Sequence, residues 1–344
     1  MHCLAGHVFP FHPRKVKCGT CKLAPLEYIE APFWACSLCG QRAGNPYRRS
    51  PLRNSIPRVV AIHDISGIGR TSLTAVIPVL SCMGIQPIPL PTAVLSTQTV
   101  GTRNFSFLDL TENMEHMLSH WEERGDTFDG VYSGFMACPK QMESVTRCID
   151  NLLAPGGLTV IDPVLGDDGV LIPTMTPQMV EKMRWLIKKA TVITPNFTEI
   201  CLLLNLDYHA RHSLKDLKDY LKALSDMGPA VVVGTSMPIT EGPSPEYSSV
   251  LAYERSIDKY WRVDCDYIPA HYPGTGDIFA SVLTGCLMQG DSLSLAIDKA
   301  VQFTTLGVRG TFGQDVPPVE GILLERYLPT LRQPIAFCQT RLVP

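Results

Sequence analysis

Pro273-Gly274-Thr275-Gly276-Asp277-Ile278-Phe279-Ala280 is the stretch on which the reading of this chain turns. Two glycines bracket a threonine, an aspartate follows at once, and a small apolar run at helical spacing begins directly after it. Glycine lets the backbone pass close to a ligand and adopts dihedrals that other residues resist. The first amides of a helix have no intrahelical partner, and the helix dipole is positive there. Such a turn collects negative charge, as helix N-termini do for phosphate. An aspartate in the same place repels a plain anion. It makes sense if its carboxylate takes a proton from a hydroxyl while the amides stabilise charge developing on a transferred phosphoryl group. The same residues also fit an ordinary loop with Asp277 near a helix N-cap. The rest of the chain has to decide.

Working outward, the segments before this turn alternate strand and helix. Arg58-Val59-Val60-Ala61-Ile62 reads as a buried strand, His63 to Arg70 as a glycine-bearing turn, and Thr71 to Met83 as a helix. Asp64 then sits at the C-terminal end of a first strand, the ligand edge of an open α/β sheet. Gly67-x-Gly69 lacks the third glycine of a dinucleotide fingerprint. Ala93 to Gly101 reads as a strand running into a polar loop that carries Thr99, or as a plain edge strand. Gly130 to Phe135 is a strand and turn. Leu158 to Ile161 is a strand ending in Asp162-Pro163-Val164-Leu165-Gly166-Asp167-Asp168-Gly169. Carboxylates at such an edge suit a hydrated magnesium ion on phosphates. Val192-Ile193 runs into Thr194-Pro195-Asn196-Phe197-Thr198-Glu199, where a helix begins. Glu199 can hold a metal-bound water there or complement the helix N-terminus. Ala230 to Val233 ends at Gly234-Thr235-Ser236. The pattern over 58–330 predicts a mostly parallel sheet between layers of helices.

Composition agrees. The 344 residues are 45% hydrophobic and 18% charged, ample for a core, with no uncharged apolar run long enough for a membrane span. Seven cysteines lie singly in apolar segments, which fits reduced thiols and places the protein in the cytoplasm. Residues 1–57 differ: eight Lys/Arg against two Asp/Glu give net +6, whereas the remainder is net −9. That contrast puts a domain boundary near Pro57, with 58–344 as the second unit. In the first, Cys18-x-x-Cys21 and Cys36-x-x-Cys39 are two knuckles able to complete a tetrahedral S4 site, which resembles a zinc ribbon. His2, Cys3, His7 and His12 read as free terminal residues. Arg48, Arg49 and Arg53 among prolines read as a solvated linker rather than a nucleic-acid contact.

Four motifs in order carry a family resemblance: the first-strand loop with Asp64, Asp162-Pro163-Val164-Leu165-Gly166-Asp167, Thr194-Pro195-Asn196-x-x-Glu199, and Gly274-Thr275-Gly276-Asp277. From Arg58 to about Leu331 the chain resembles the ribokinase-like vitamin kinases, and within them the pyridoxal kinases. The resemblance implies a three-layer α/β/α sandwich and ATP-dependent phosphorylation of a primary alcohol on a small ring. It makes Asp277 the base and Gly274, Thr275 and Gly276 the anion hole. It makes Asp162, Asp167 and Glu199 the acidic groups near Mg-ATP, and Thr194, Asn196, Thr235 and Ser236 nucleotide-pocket positions. Asp64, Thr99 and Phe135 fall beside the vitamin ring. Homodimers are common in the family, and a monovalent cation is a further cofactor to consider. Asp64 stands where many pyridoxal kinases have serine, and Gln98 where others have histidine, which leaves the vitamer open. A sibling hydroxymethylpyrimidine kinase is the alternative enzyme. A non-catalytic vitamer-binding regulator that uses the cysteine module for partner contact is the alternative of another class.

Overall fold

The computed structural model describes residues 56–99, 104–239, 247–333 and 339–343. The expected cysteine module, with Cys18, Cys21, Cys36 and Cys39, lies outside the described residues.

The strand Arg58–Ile62 shows how the fold is built. Its apolar side chains alternate between two cores: Val60 and Ile62 pack on one side, Val59 and Ala61 on the other. A strand covered on both faces needs an unbroken apolar run, as parallel strands do. Helices Ser72–Cys82, Thr275–Met288 and Leu293–Thr311 supply one covering layer. Helices Thr111–Arg124, Pro139–Leu152, Pro177–Leu186, Phe197–Leu204 and Leu214–Asp226 supply the other. This is the expected three-layer α/β/α arrangement.

In spatial order the large sheet runs Gln86–Pro89, Arg58–Ile62, Phe128–Ser133, Leu153–Ile161, Val192–Ile193, Val231–Met237, Tyr247–Glu254, Lys259–Asp266 and Arg341–Val343. The first six are parallel and the last three are added antiparallel. Six carboxyl ends therefore share one edge. From Arg58–Ile62 the chain first goes to the neighbour on one side, Gln86–Pro89, and later to the neighbour on the other, Phe128–Ser133. Such a reversal opens a crevice beyond the carboxyl ends, where ligands bind in open α/β sheets.

Two local readings change. The segment His63–Arg70 is not simply a turn: Ile65–Ile68 is a strand of a second, three-stranded sheet with Ala93–Thr97 and Phe107–Asp109. Gly67 serves that pairing, because a Cβ there would lie 2.9 Å from the Ser96 carbonyl oxygen. Ala93–Thr97 is thus the centre of this small sheet rather than an edge. The buried thiols Cys148 and Cys286 are pushed up to about 12 by burial, which leaves them inert packing groups. Among the described residues no helix is long and apolar enough to cross a membrane.

Candidate active site

The glycine turn has the geometry its sequence demands. Gly274 caps helix Thr275–Met288 with φ +85°, and a Cβ on it would sit 2.1 Å from the Arg70 carbonyl oxygen. Only glycine meets both constraints. The turn thereby presses on the loop that follows the first strand, which brings Asp277 and Asp64 together.

Ser72 joins these two carboxyls. Its backbone N–H donates to Asp277 Oδ2 at 2.8 Å and its hydroxyl donates to Asp64 Oδ1 at 2.5 Å. Ser66 donates its hydroxyl to Asp64 Oδ2 at 2.9 Å. Burial pushes the Asp64 carboxyl above the usual range, the two serine hydroxyls oppose that, and the nearby Asp277 adds to it. On the other side of Asp277, His63 Nδ1 lies 3.6 Å from Oδ1.

Asp162, at the end of its strand, accepts a hydrogen bond from the Thr194 hydroxyl at 3.0 Å. Burial, then repulsion from Asp277, raises its carboxyl to about 7. Glu199 is raised well above its ordinary value, by burial first and then by Asp162. Both Glu199 oxygens are occupied: Oε2 accepts from the Asn196 amide at 2.8 Å and Oε1 from the Leu165 amide at 3.1 Å. Asn196 Oδ1 accepts from the Glu199 amide at 2.9 Å, completing a capping box on helix Phe197–Leu204. Asn196 Nδ2 also donates to the Gly166 carbonyl at 2.9 Å, tying the helix start to the acidic loop.

One cavity gathers nearly every residue singled out above. Its lining includes Asp64, Thr99 and Phe135, Asp162, Asp167, Thr194, Asn196, Glu199 and Thr235, and Gly274 to Asp277. Ser236 is exposed and does not line it. A bulge between Gly234 and Met237 turns Ser236 outward, at φ +51°. Asp162, Asp167 and Glu199 do not form a close cluster: among the described residues no three His, Cys, Asp or Glu side chains come together as metal ligands. Asp167 instead sits exposed, 3.9 Å from His271 Nδ1.

Sequence reasoning passed over Ser66, Ser72, His63 and Tyr132. Ser66 in a short glycine-bearing strand and Ser72 at a helix start carry no periodic signal, and Tyr132 sits inside a strand, where it looks like core. His63 stands directly before Asp64, and that adjacency to a strand end was the available clue.

Residues 74–320 match the family model described as phosphomethylpyrimidine kinase. The chain belongs to that family. The family is one of kinases, which makes the chain a phosphotransferase of that type. A structure from Bacteroides thetaiotaomicron, provisionally described as a phosphomethylpyrimidine kinase and crystallised with pyridoxal, is 49% identical. It covers 84% of this chain and 100% of that one, with a TM-score of 0.81. The pyridoxine/pyridoxal/pyridoxamine kinase of Bordetella bronchiseptica is 27% identical over 266 residues, 75% of this chain and 89% of the relative. The hydroxymethylpyrimidine/phosphomethylpyrimidine kinase of Bacillus subtilis is 28% identical over 188 residues, 54% of this chain and 65% of the relative.

Proposed function

We propose that this member of the family transfers the γ-phosphoryl group of ATP to the 5′-hydroxymethyl oxygen of a vitamin B6 vitamer: pyridoxal, pyridoxamine or pyridoxine. The observation that carries the reading is the position of Asp277, one turn into a helix whose glycine start faces the same cavity as Asp64 and Asp162. Asp277 takes the alcohol proton as the oxygen attacks phosphorus. The amides of Gly274, Thr275 and Gly276 receive charge developing on the transferred group. Asp64, Thr99 and Phe135 hold the ring, and Thr194, Asn196 and Thr235 meet the nucleotide. Phosphoryl transfer depends mainly on positioning and charge neutralisation, so a site without a covalent nucleophile is sufficient.

The carboxyls fit a magnesium ion. They are hard oxygen donors. Asp162 is held protonated up to about 7 by burial and by Asp277, a state that a bound cation relieves. Asp162 would hold it, and Asp167 and Glu199 would reach it only through water, since the three do not come together as one ligand set among the described residues. The ion would neutralise phosphate charge.

The pyridoxal in the Bacteroides structure supports a B6 vitamer. The Bacillus relative and the family model favour a second reading, hydroxymethylpyrimidine as acceptor. ADP release with Mg-ATP, measured side by side for the three vitamers and hydroxymethylpyrimidine, separates the two. The higher kcat/KM is expected for a B6 vitamer. Preference for the pyrimidine would keep the mechanism and replace the substrate.

A further inference from the structure

His63 is completely buried, and neither ring nitrogen has a hydrogen-bond partner among the described protein atoms. An imidazole left so is costly, since buried polar groups normally find partners. Its surroundings are nonetheless built to keep it in place. Tyr132 packs edge-on to the ring, with centroids 4.5 Å apart and planes at 72°. The Tyr132 hydroxyl donates to the Asp277 carbonyl oxygen at 3.3 Å, so the residue that holds the imidazole also holds the Asp277 backbone. Gly134 provides the space: a Cβ there would lie 2.4 Å from His63 Nδ1.

The ring faces Asp277. Nδ1 is 3.6 Å from Oδ1, while the Ser72 amide already holds Oδ2 at 2.8 Å. A carboxylate held at one oxygen can still swing. An approach of roughly half an ångström would bring Nδ1 into hydrogen-bond range of Oδ1. Such contacts are often long in ligand-free enzymes and tighten with substrate bound.

From this geometry we infer that His63 is a positioning residue for the phosphoryl transfer: its Nδ1–H holds Oδ1 of Asp277 so that the carboxylate meets the substrate hydroxyl in one orientation. The inference rests on the reading of Asp277 as the base. His63 does not touch substrate and acts only through Asp277.

The test compares ADP release by His63→Leu, His63→Asn, Asp277→Asn and the Asp277→Asn/His63→Leu double variant. Leucine keeps apolar bulk and loses the donor; asparagine loses bulk and keeps a donor near the Nδ1 position. His63→Leu is expected to lower kcat about 10–100-fold, with KM for ATP and for the alcohol within about two-fold. His63→Asn is expected to recover most of that loss. In the Asp277→Asn background His63→Leu should cost nothing further, because the base that His63 orients is already lost. A His63→Leu variant within two-fold of wild type, or one more active than His63→Asn, overturns the inference in favour of simple packing. Asp277→Asn at full turnover would remove the base assignment itself. A slow Asp277→Asn beside a normal His63→Leu would remove only the role of His63. An independent readout needs no turnover: Asp277→Asn should move the His63 Nδ1 resonance in the ligand-free protein. An unmoved resonance overturns the contact.

Discussion

Gly274 and Gly276 look alike in the sequence, yet the structure uses them for different ends. At Gly274 a side chain meets two obstacles, φ +85° and a carbonyl oxygen 2.1 Å from its Cβ. The left-handed backbone alone costs about 1–2 kcal/mol for another residue, and the overlap adds to it because a backbone atom must move. At Gly276 the nearest atom outside its two chain neighbours and the helix's own backbone is Asp162 Oδ2, at 4.0 Å, so a methyl group fits. Gly274→Ala should therefore lose both stability and kcat. Gly276→Ala should fold as well as wild type, or up to about 1 kcal/mol better because alanine favours helix, and still lose activity where the phosphoryl group must approach. Urea denaturation beside ADP release distinguishes them; equal stability losses would refute the division. A third substitution tests the base. Asp277→Asn should cut kcat by roughly 10²–10⁴-fold, and near-wild-type turnover would deny it that role. Asp277 was legible because a carboxylate after a glycine turn is chemically odd. Ser72 was not, although it links Asp64 to Asp277, because its value comes from a backbone amide and a fold-dependent approach.

Single elements show why Glu199 was ambiguous. A carboxylate three residues into a helix both completes a capping box and presents charge to a ligand, and Thr194-Pro195-Asn196-x-x-Glu199 is compatible with either. In the folded chain Asn196 and Glu199 cap each other across the start of Phe197–Leu204, and Glu199 also reaches the Leu165 amide. The helix start and the loop after Asp162 thus form one unit. Asn196→Ala removes the cap and the bond to the Gly166 carbonyl together. Its expected cost is about 1–2 kcal/mol of stability, with a raised KM for ATP and little change in KM for the alcohol. An unchanged KM for ATP would separate this unit from the nucleotide. Most helices and large-sheet strands could be read from apolar periodicity and turn residues, because burial on two faces imposes both. The small sheet was harder. Ile65–Ile68 contains Gly67, which looks like a turn signal until Ala93–Thr97 is known to lie against it.

Across the whole molecule, the carboxyl ends of parallel strands and the glycine turn before helix Thr275–Met288 bring four acidic side chains from distant parts of the chain to one cavity: Asp64, Asp162, Glu199 and Asp277. Sequence order shows which strand each follows, but not how deeply the fold buries them. That burial has a consequence for stability. The Asp162 carboxyl rises from the ordinary 3.8 to about 7 in the folded protein, chiefly through desolvation and then through Asp277. A raised carboxyl holds its proton in the folded chain and releases it in the unfolded one. Between those two values the folded state binds more protons, so stability is greatest below the lower value and falls as pH rises toward about 7. Asp162→Asn, neutral throughout, escapes this loss. Wild type and variant should be similar near pH 4, and the variant should pull ahead by a few kcal/mol at most by pH 8. Asp64 and Glu199 are raised as well, so the variant keeps a shallower slope of its own. Denaturant titrations at pH 4, 5, 6, 7 and 8 measure the gap; a constant or inverted gap would mean that Asp162 is ionised without cost. Saturating Mg-ATP should then reverse the order at pH 8, because a bound cation stabilises the carboxylate that wild type supplies and the variant lacks.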